Sequence, residues 1–409
     1  MLVSTFRTVR SLPSEVQSIF IATLIFRAGT MAFPFLSAYL LGYDGLSVAD
    51  VGAVIGAYGV GALVADIAAG PILKIASTKT VMITALAANA GLVALLPALD
   101  GKLAILMATI AWGFFYEAFT PASYSAIVNA SAASIRKVAF SCHRLAINLG
   151  MAVGPALGGL LFAWNKNAVF GANAAIVLVA ALFLVTRRGS GTHHDQAVTE
   201  ASSQRKRLVA RSWREESRFW SFFVLALPIH FAFALPPAYM SAYVINDRGL
   251  SGAWVGAIFT LNAVLIVLFE VPLNKAMKSV GHRPGLLIGY GLTAAGFALM
   301  GVFASVPGLL IATVFWSLAE MIVFPALMHY ASDVSGEEVL DRNMGLYSAG
   351  VSIGLIAAPG LALSIASTVN ASMPWLGVAG IVALAAIAIV FIKRFDFLWL
   401  PDQRQELAQ

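Results

Sequence analysis

The sequence predicts an all-α integral membrane protein with twelve transmembrane helices in two six-helix bundles. Three observations predict this fold class: the composition, the apolar segments and an internal repeat. Of 409 residues, 59% are hydrophobic and 11% are charged, with a mean hydropathy of +0.84. Soluble domains have about half apolar and a quarter charged residues, so part of this chain must face lipid. The single cysteine, Cys142, excludes an intramolecular disulfide and a multi-cysteine metal site.

Twelve apolar segments reach the length of about 20 residues that a helix needs to cross roughly 30 Å of hydrocarbon. The fifth and eleventh are interrupted by Gly and Pro. The residues before the first segment lack the apolar stretch of a cleaved signal, so the first span is expected to serve as its own insertion signal. The predicted spans cover residues 18–41, 49–73, 79–98, 102–128, 137–163, 167–187, 218–245, 252–278, 283–303, 306–331, 340–366 and 373–394.

The cations predict the orientation in the membrane. Of the 26 lysines and arginines, all but five fall on one side if both termini share that side. Lys102, Lys166 and Arg248 lie on the other side, and Arg27 and Arg144 lie within spans. By the positive-inside rule, both termini are expected in the cytoplasm and the protein in the inner (cytoplasmic) membrane.

One polar interval divides the chain. Residues 188–217 are rich in Ser, Thr, Gln and cations and include the pair His193–His194, which is interpreted as part of a solvated loop rather than a metal site. We therefore expect an N-terminal six-helix bundle at residues 1–187, a cytoplasmic linker at 188–217 and a C-terminal six-helix bundle at 218–409.

The two halves align when the sequence is shifted by 204 residues. Ten of the 17 positions in residues 37–53 are identical to those in 241–257. The same shift pairs Trp112 with Trp316 and Pro155 with Pro359. A single register across five spans predicts two parallel bundles related by an axis along the membrane normal, an arrangement found in transporters with a site near the midplane.

With twelve spans, a repeat of six and six and a central loop, the chain resembles the major facilitator superfamily over its whole length. The segment from Gly150 to Gly159 resembles the Gly-x-x-x-Gly-Pro-x-x-Gly-Gly motif of the drug:proton antiporter group, with Gly150, Gly154, Pro155, Gly158 and Gly159 in the motif positions. The loop motif between spans 2 and 3 of that superfamily is degenerate, because Lys74 stands where the family has Asp. The resemblance implies alternating access by two rocking bundles, with spans 1, 4, 7 and 10 lining a central cavity.

The small residues of span 5 also have a physical reading. Ala146, Gly150, Gly154 and Gly158 recur every four residues and form one stripe on the helix. Such stripes let helix backbones approach closely in lipid, and Gly and Pro permit the bending that a gate needs. The stripe predicts tight packing with an additional gating role.

Ionisable residues within spans are the strongest candidates for function, because each is costly in hydrocarbon. Estimated depths predict two facing pairs, Arg27 with Glu117 and His230 with Glu320. Fixed salt bridges would satisfy these charges without further function. The functional interpretation is that Glu117 or Glu320 exchanges a proton as the cavity opens to each side, since burial and nearby cations act oppositely on a carboxyl group.

A further group of polar residues is predicted nearer the cytoplasmic side. Arg144 and Asn148 lie four residues apart on one face of span 5. Asp66 on span 2, at a similar depth, is expected to pair with Arg144. Glu270 has no evident partner in the sequence. Its place near the cytoplasmic end of its span is as compatible with a gate or with a side chain that extends to the lipid headgroups as with a substrate site.

The leading hypothesis is proton-coupled export of amphipathic small molecules by a monomer, with protons, membrane lipid and the substrate as partners. Aromatic residues are expected to supply the apolar wall of the substrate site, namely Tyr39, Tyr116, Phe119, Tyr124 and Trp316. No cofactor, nucleic acid or enzymatic activity is expected, because no nucleotide loop, nucleophile constellation or metal-ligand motif occurs.

Other functions stay open at this point. Arg27 and Arg144 favour transport of a small organic anion, since guanidinium groups suit carboxylates and phosphates. Metal transport by His143, His230, His329 and scattered Met residues lacks convincing ligand spacing. A membrane sensor that has lost transport is compatible with the degenerate loop motif.

Overall fold

The computed structural model describes residues 9–43, 45–187, 213–277 and 280–391. These ranges contain twelve helices long and apolar enough to cross a membrane, and no β-strand. The predicted all-α membrane fold is confirmed. The helices are α1 (Ser14–Leu41), α2 (Val48–Ile75), α3 (Thr78–Ala98), α4 (Lys102–Ala130), α5 (Ala133–Trp164), α6 (Ala168–Thr186), α7 (Arg218–Asp247), α8 (Gly252–Met277), α9 (His282–Val302), α10 (Val306–Ala331), α11 (Leu346–Thr368) and α12 (Met373–Phe391).

The connection between α10 and α11 is helical. Helical backbone structure runs without interruption from Val306 to Thr368. The predicted spans 306–331 and 340–366 are therefore joined by helical backbone. The connecting segment 332–339 contains Glu337 and Glu338, which favour helix, and it contains no proline to end one.

Helix α1 is interrupted near its middle, which the sequence did not predict. Its first part ends at Gly29, and helical structure resumes with a 3₁₀ turn at Phe33–Phe35 followed by Leu36–Leu41. The backbone N–H groups of Met31 and Ala32 both donate to Oδ1 of Asn173 on α6, at 3.1 Å. Because a backbone donor without a partner is costly at membrane depth, Asn173 stabilises the interruption.

Helix α7, the repeat counterpart of α1, is irregular over the corresponding stretch. Pro236 and Pro237 interrupt its hydrogen bonding, because proline has no backbone N–H. Its last turns, Ala242–Asp247, are π-helical. The first helix of each half therefore departs from regular α geometry in the part furthest from the chain termini.

Contacts between loops define the two ends of the molecule. At one end, which we call the termini side, Lys79 at the start of α3 donates to the carbonyl oxygen of Arg187, just after α6. At the other end, the far side, the Tyr43 hydroxyl donates to Asp100 at 2.9 Å. The predicted linker, including His193–His194, lies up to residue 212 outside the described residues, so the domain boundaries stay predictions.

The two bundles meet mainly along two lines of helix contact, with a smaller contact between α1 and α7. Helix α2 packs against α11, and α5 packs against α8. We call these contacts the α2–α11 seam and the α5–α8 seam. Each bundle has its own buried side chains, such as Phe26 and Phe119 in the first and Phe297 and Trp375 in the second, all with an exposed fraction of 0%. The seams therefore contain most of the contacts between the two bundles.

Candidate functional site

The α2–α11 seam is closed by glycine from the far side to about the middle of the membrane. A Cβ added to Gly52 would lie 2.7 Å from the Cα of Gly360, and one added to Gly56 would lie 2.5 Å from the carbonyl oxygen of Ile356. Side-chain carbons do not approach backbone atoms that closely, so these positions require glycine. The backbones of the two helices are in direct contact here.

The α5–α8 seam repeats this contact. A Cβ added to Gly256 would lie 2.6 Å from the carbonyl oxygen of Pro155. Gly256 and Pro155 are the counterparts, at the offset of 204, of Gly52 and Pro359, and the same added Cβ at Gly52 would lie 3.6 Å from the carbonyl oxygen of Pro359. The sequence repeat therefore corresponds to one helix contact that is made twice between the bundles.

The motif of α5 contacts two helices at once. Gly150 faces α1, where an added Cβ would lie 2.5 Å from the Cβ of Arg27, and Gly154 and Gly158 continue the same face. Gly159 instead faces α8, where an added Cβ would lie 2.6 Å from the carbonyl oxygen of Gly252. The motif thus joins the interrupted helix of its own bundle to the opposite bundle.

Arg27 lies inside the first bundle and contacts α4. Its guanidinium donates to the hydroxyl of Tyr116 and, at 2.9 Å, to Oγ1 of Thr120, and its Cζ lies 4.8 Å from the centre of the Tyr116 ring. Tyr116 and Thr120 are four residues apart and occupy one face of α4. This arrangement fixes the buried cation by hydrogen bonds to neutral groups and by a ring face.

Glu117 is close to Arg27 but does not form the direct pair that the sequence predicted. The two side chains make no ion pair within 4.0 Å, although Glu117 feels the charges of both Arg27 and Asp66. Thr120 connects them, because its hydroxyl accepts from Arg27 and hydrogen-bonds to Glu117. Glu117 is one residue beyond Tyr116 and is therefore rotated by about 100° from the face that meets α1.

The second bundle contains a cavity of about 250 Å³ between its helices and the seams. Its wall is mainly apolar and aromatic, with a few polar groups, which is the usual character of a small-molecule site. Both nitrogens of His230 and the Nε1 of Trp316 have no hydrogen-bond partner within the described residues. The lining residues are Met151, His230, Phe233, Ala234, Pro236, Pro237, Phe259, Asn262, Trp316, Glu320, Phe324, Val351 and Leu355.

Glu320 is held in this wall by a neutral amide. The Nδ2 of Asn262 on α8 donates to Oε2 of Glu320 at 2.9 Å and to the hydroxyl of Ser317 at 3.0 Å. His230 lines the same cavity but makes no hydrogen bond to Glu320; its ring meets that of Tyr347 edge-on, with centroids 4.9 Å apart. The predicted pair shares a cavity without direct contact.

Arg144 pairs with Glu270, and the predicted pairing with Asp66 is wrong. The guanidinium Nη2 of Arg144 on α5 contacts Oε1 of Glu270 on α8. Asp66 lies on α2, which faces α11 rather than α8, so the two predicted partners belong to different seams. The ion pair therefore connects the two bundles. Asn148, one turn further along α5, is half-buried.

The predicted aromatic wall is only partly formed. Trp316 lines the cavity, and Tyr116 binds Arg27. Phe119 is fully buried against Phe26, with ring centroids 4.9 Å apart, and so faces no cavity. Tyr39 packs on Phe170 of α6 and is not among the cavity-lining residues. Tyr124 is 42% exposed and meets His143 edge-on.

Sequence reasoning missed Asn262, Thr120 and Asn173. They are uncharged and lie in apolar helices, so no charge or motif distinguished them. His143, considered only as a metal ligand, is buried and its Nε2 lies 3.2 Å from the hydroxyl of Ser123. Within the described residues no three His, Cys, Asp or Glu side chains are grouped as a metal site.

Comparison with known proteins identifies relatives along the chain. The family model of the Major Facilitator Superfamily matches residues 19–259 and 231–406. An uncharacterized MFS-type transporter of Bacillus subtilis, YttB, is 26% identical over 310 residues, covering 74% of this chain and 76% of its own. An uncharacterized MFS-type transporter of Mycobacterium tuberculosis is 24% identical over 390 residues, covering 90% and 89%.

The fold is also that of solved transporters. A crystal structure of a peptide transporter, POT, in complex with alafosfalin superimposes with a TM-score of 0.78 at 16% sequence identity. The match covers 95% of this chain and 97% of that chain. At this identity the likeness concerns the fold alone.

Proposed function

The chain belongs to the Major Facilitator Superfamily, and we propose that it is a proton-coupled exporter of amphipathic small molecules that works by alternating access. Its relatives are MFS-type transporters, which supports secondary transport.

The observation that carries the proposal is the position of Glu320 in the cavity wall. Its described partner is the neutral amide of Asn262, and no cation lies at ion-pair distance among the described residues. An ionised carboxylate without a cation is costly in an apolar site, whereas a protonated carboxyl group is neutral. Glu320 is therefore the residue at which proton binding and release can follow the opening and closing of the cavity.

Glu117 is the corresponding candidate in the first bundle. It shares Thr120 with Arg27 instead of pairing with that cation directly. A proton on Glu117 would weaken its hold on Thr120, and so alter the contact of α4 with α1. This gives the first bundle a means of sensing protonation through a hydrogen bond.

The cavity composition supports an amphipathic substrate. Phe233, Phe259, Phe324 and Trp316 supply apolar surface, while Glu320 and the unpartnered nitrogens of His230 and Trp316 supply polar contacts. A mixed wall of this kind fixes the polar end of a molecule and buries the rest. Export is proposed because the segment from Gly150 to Gly159 resembles the motif of the drug:proton antiporter group.

The experiment has two steps. A thermal-shift screen of amphipathic cations, anions and neutral compounds on the purified chain, at two pH values, identifies a ligand, because a ligand stabilises the state that it binds. Proteoliposomes with an imposed pH gradient then measure its flux. We expect flux driven by the gradient, and we expect Glu320→Gln to abolish the dependence on the gradient.

Matched variants separate the carboxyl group from packing. Glu320→Asp retains a titratable group and is expected to retain part of the gradient-driven flux, whereas Asn262→Ala should weaken ligand binding by removing the amide contact. Gradient-driven flux of native size in both Glu117→Gln and Glu320→Gln would overturn the assignment of the proton to these residues.

Transport of a small organic anion is the second candidate. One observation favours it: the Arg144 side chain stays 65% exposed although it pairs with Glu270. Against it, Arg27 already donates to Tyr116 and Thr120 and is buried. Stabilisation by anions alone in the screen, lost in Arg144→Ala, would favour this function over the first.

A further inference from the structure

The two seams differ on the termini side of the membrane. The ion pair of Arg144 with Glu270 joins α5 to α8 there. The repeat offset of 204 maps Glu270 onto Asp66 and Arg144 onto Ser348. The α2–α11 seam therefore has the carboxylate of the pair but a serine in place of the guanidinium.

The contacts along the seam place Asp66 opposite Ser348. A Cβ added to Gly59 on α2 would lie 3.0 Å from the carbonyl carbon of Leu355 on α11. The two helices run antiparallel, so that successive contacts along the seam involve higher residue numbers on α2 and lower residue numbers on α11. Asp66 is seven residues beyond Gly59, and Ser348 is seven residues before Leu355. Both lie about 10 Å from that contact towards the termini side, and both are exposed.

The α5–α8 seam has the same register. The hydroxyl of Thr260 donates to the carbonyl oxygen of Ala152 at 3.2 Å, and these two residues are the repeat counterparts of Gly56 and Ile356, which are in contact on the other seam. Glu270 is ten residues beyond Thr260, and Arg144 is eight residues before Ala152. Nearer the termini side, the ion pair of Arg144 with Glu270 joins the two bundles.

We propose that the two seams are held together with unequal strength on the termini side. The Arg144–Glu270 pair holds the α5–α8 seam closed. The α2–α11 seam, with Asp66 facing Ser348, separates first when the molecule opens towards the termini side. The Glu270 side chain is only 14% exposed, and separating a largely buried carboxylate from its cation leaves an uncompensated charge. No such cost opposes separation at Asp66. The proposal concerns motion and does not depend on the coupled ion or the substrate.

The test measures distances across each seam by pulsed electron paramagnetic resonance on the purified full-length chain, with Cys142→Ala removing the native thiol. Spin labels are placed at Gly70→Cys and Met344→Cys across the α2–α11 seam. Gly70 suits a label because a Cβ added there meets nothing within 4 Å. We expect a broad distance distribution with a long component for this seam.

The matched pair of labels lies at Val138→Cys and Ala276→Cys across the α5–α8 seam. We expect a narrow distribution there, and we expect Arg144→Ser to broaden it. Equal widths for the two seams in the otherwise native chain would overturn the proposal.

Introducing the missing cation provides the second part of the test. Ser348→Arg should remove the long component at the α2–α11 seam, and Asp66→Asn in the same chain should restore it, while Ser348→Gln should leave it unchanged. The exchange Arg144→Ser with Ser348→Arg should interchange the widths of the two seams. Melting temperatures of all variants confirm that they are folded.

Two outcomes contradict the proposal even when the variants fold. The first is a Ser348→Arg chain with a native melting temperature in which the α2–α11 distances stay as broad as before. The second is a broadening of these distances by Asp66→Asn alone, because it would reveal a cation that already pairs with Asp66.

Discussion

The hydroxyl oxygen of Ser37 lies 2.8 Å from that of Ser241, and both side chains are buried. The two serines are each other's counterpart at the repeat offset of 204. A residue that contacts its own counterpart must lie at the axis that relates the two halves. Because Ser37 belongs to α1 and Ser241 to α7, this hydrogen bond also joins the two bundles at the far side.

A disulfide at this axis should lock the far side. We expect Ser37→Cys with Ser241→Cys, in a Cys142→Ala chain, to form a disulfide under oxidation, because the two hydroxyl oxygens it replaces are in contact. Transport should be lost on oxidation and recovered on reduction, since alternating access requires α1 and α7 to separate. The measurement is flux in proteoliposomes before and after a reductant.

The single variants Ser37→Cys and Ser241→Cys are the controls for this experiment. Each should keep its flux under the same oxidation. Full transport by the oxidised double variant, with the disulfide verified by mass spectrometry, would show that α1 and α7 do not separate at the far side.

Close helix contact inside the first bundle predicts a stability difference between two glycines. A Cβ added to Gly113 on α4 would overlap the carbonyl oxygen of Tyr58 on α2, whereas one added to Gly91 on α3 meets nothing within 4 Å. Gly113→Ala should destabilise the protein by about 1–3 kcal/mol, the usual cost of overpacking. Gly91→Ala should be neutral or stabilising by up to about 1 kcal/mol, because alanine favours helix.

Thermal unfolding in one detergent, with all other conditions fixed, checks this difference. Equal melting temperatures for Gly113→Ala and Gly91→Ala would mean that α2 and α4 are not in backbone contact at this level.

The twelve helices and the doubled seam contact were predictable because both follow from local patterns. Apolar length predicts a span, and the repeat register that pairs Gly52 with Gly256 also pairs the prolines that they face. Partners between helices were not predictable in the same way. Depth along a helix places Arg144 and Asp66 at one level, but only the packing of α5 on α8 decides that Glu270 receives the guanidinium.

Uncharged residues in apolar helices give no sequence signal at all. Asn262 and Thr120 hold the two carboxylates by single hydrogen bonds, and nothing in their spacing distinguishes them from other small polar residues. The interruption of α1 was missed because the residues from Thr30 to Ala32 are as apolar as an ordinary span. Its cause is the acceptor on another helix, Asn173.

Asn173 should be essential for the stability of the interrupted helix. Asn173→Ala leaves the backbone N–H of Ala32 without an acceptor, at a cost of about 1–3 kcal/mol, and leaves that of Met31 with the carbonyl oxygen of Gly29 at 2.9 Å as its remaining acceptor. Asn173→Asp keeps an oxygen at the same place and should lose less. Thermal unfolding of the native chain, Asn173→Asp and Asn173→Ala tests whether stability falls in that order. A native melting temperature for Asn173→Ala would show that other acceptors replace the amide.

The contact of Arg27 with α4 makes a last prediction about a buried cation. Tyr116→Phe removes one acceptor from the guanidinium, and a hydrogen bond to a charged group is worth about 1.5–3 kcal/mol, so the free energy of unfolding should fall by that amount. Tyr124→Phe is the matched control, because the Tyr124 side chain is 42% exposed on the same helix. Adding Arg27→Met to Tyr116→Phe completes a double-mutant cycle, in which the effect of Tyr116→Phe should largely vanish once the cation is gone. If Tyr116→Phe lowers stability equally in both backgrounds, the hydroxyl acts on something other than Arg27, and the shared Thr120 would then be the main contact between the cation and α4.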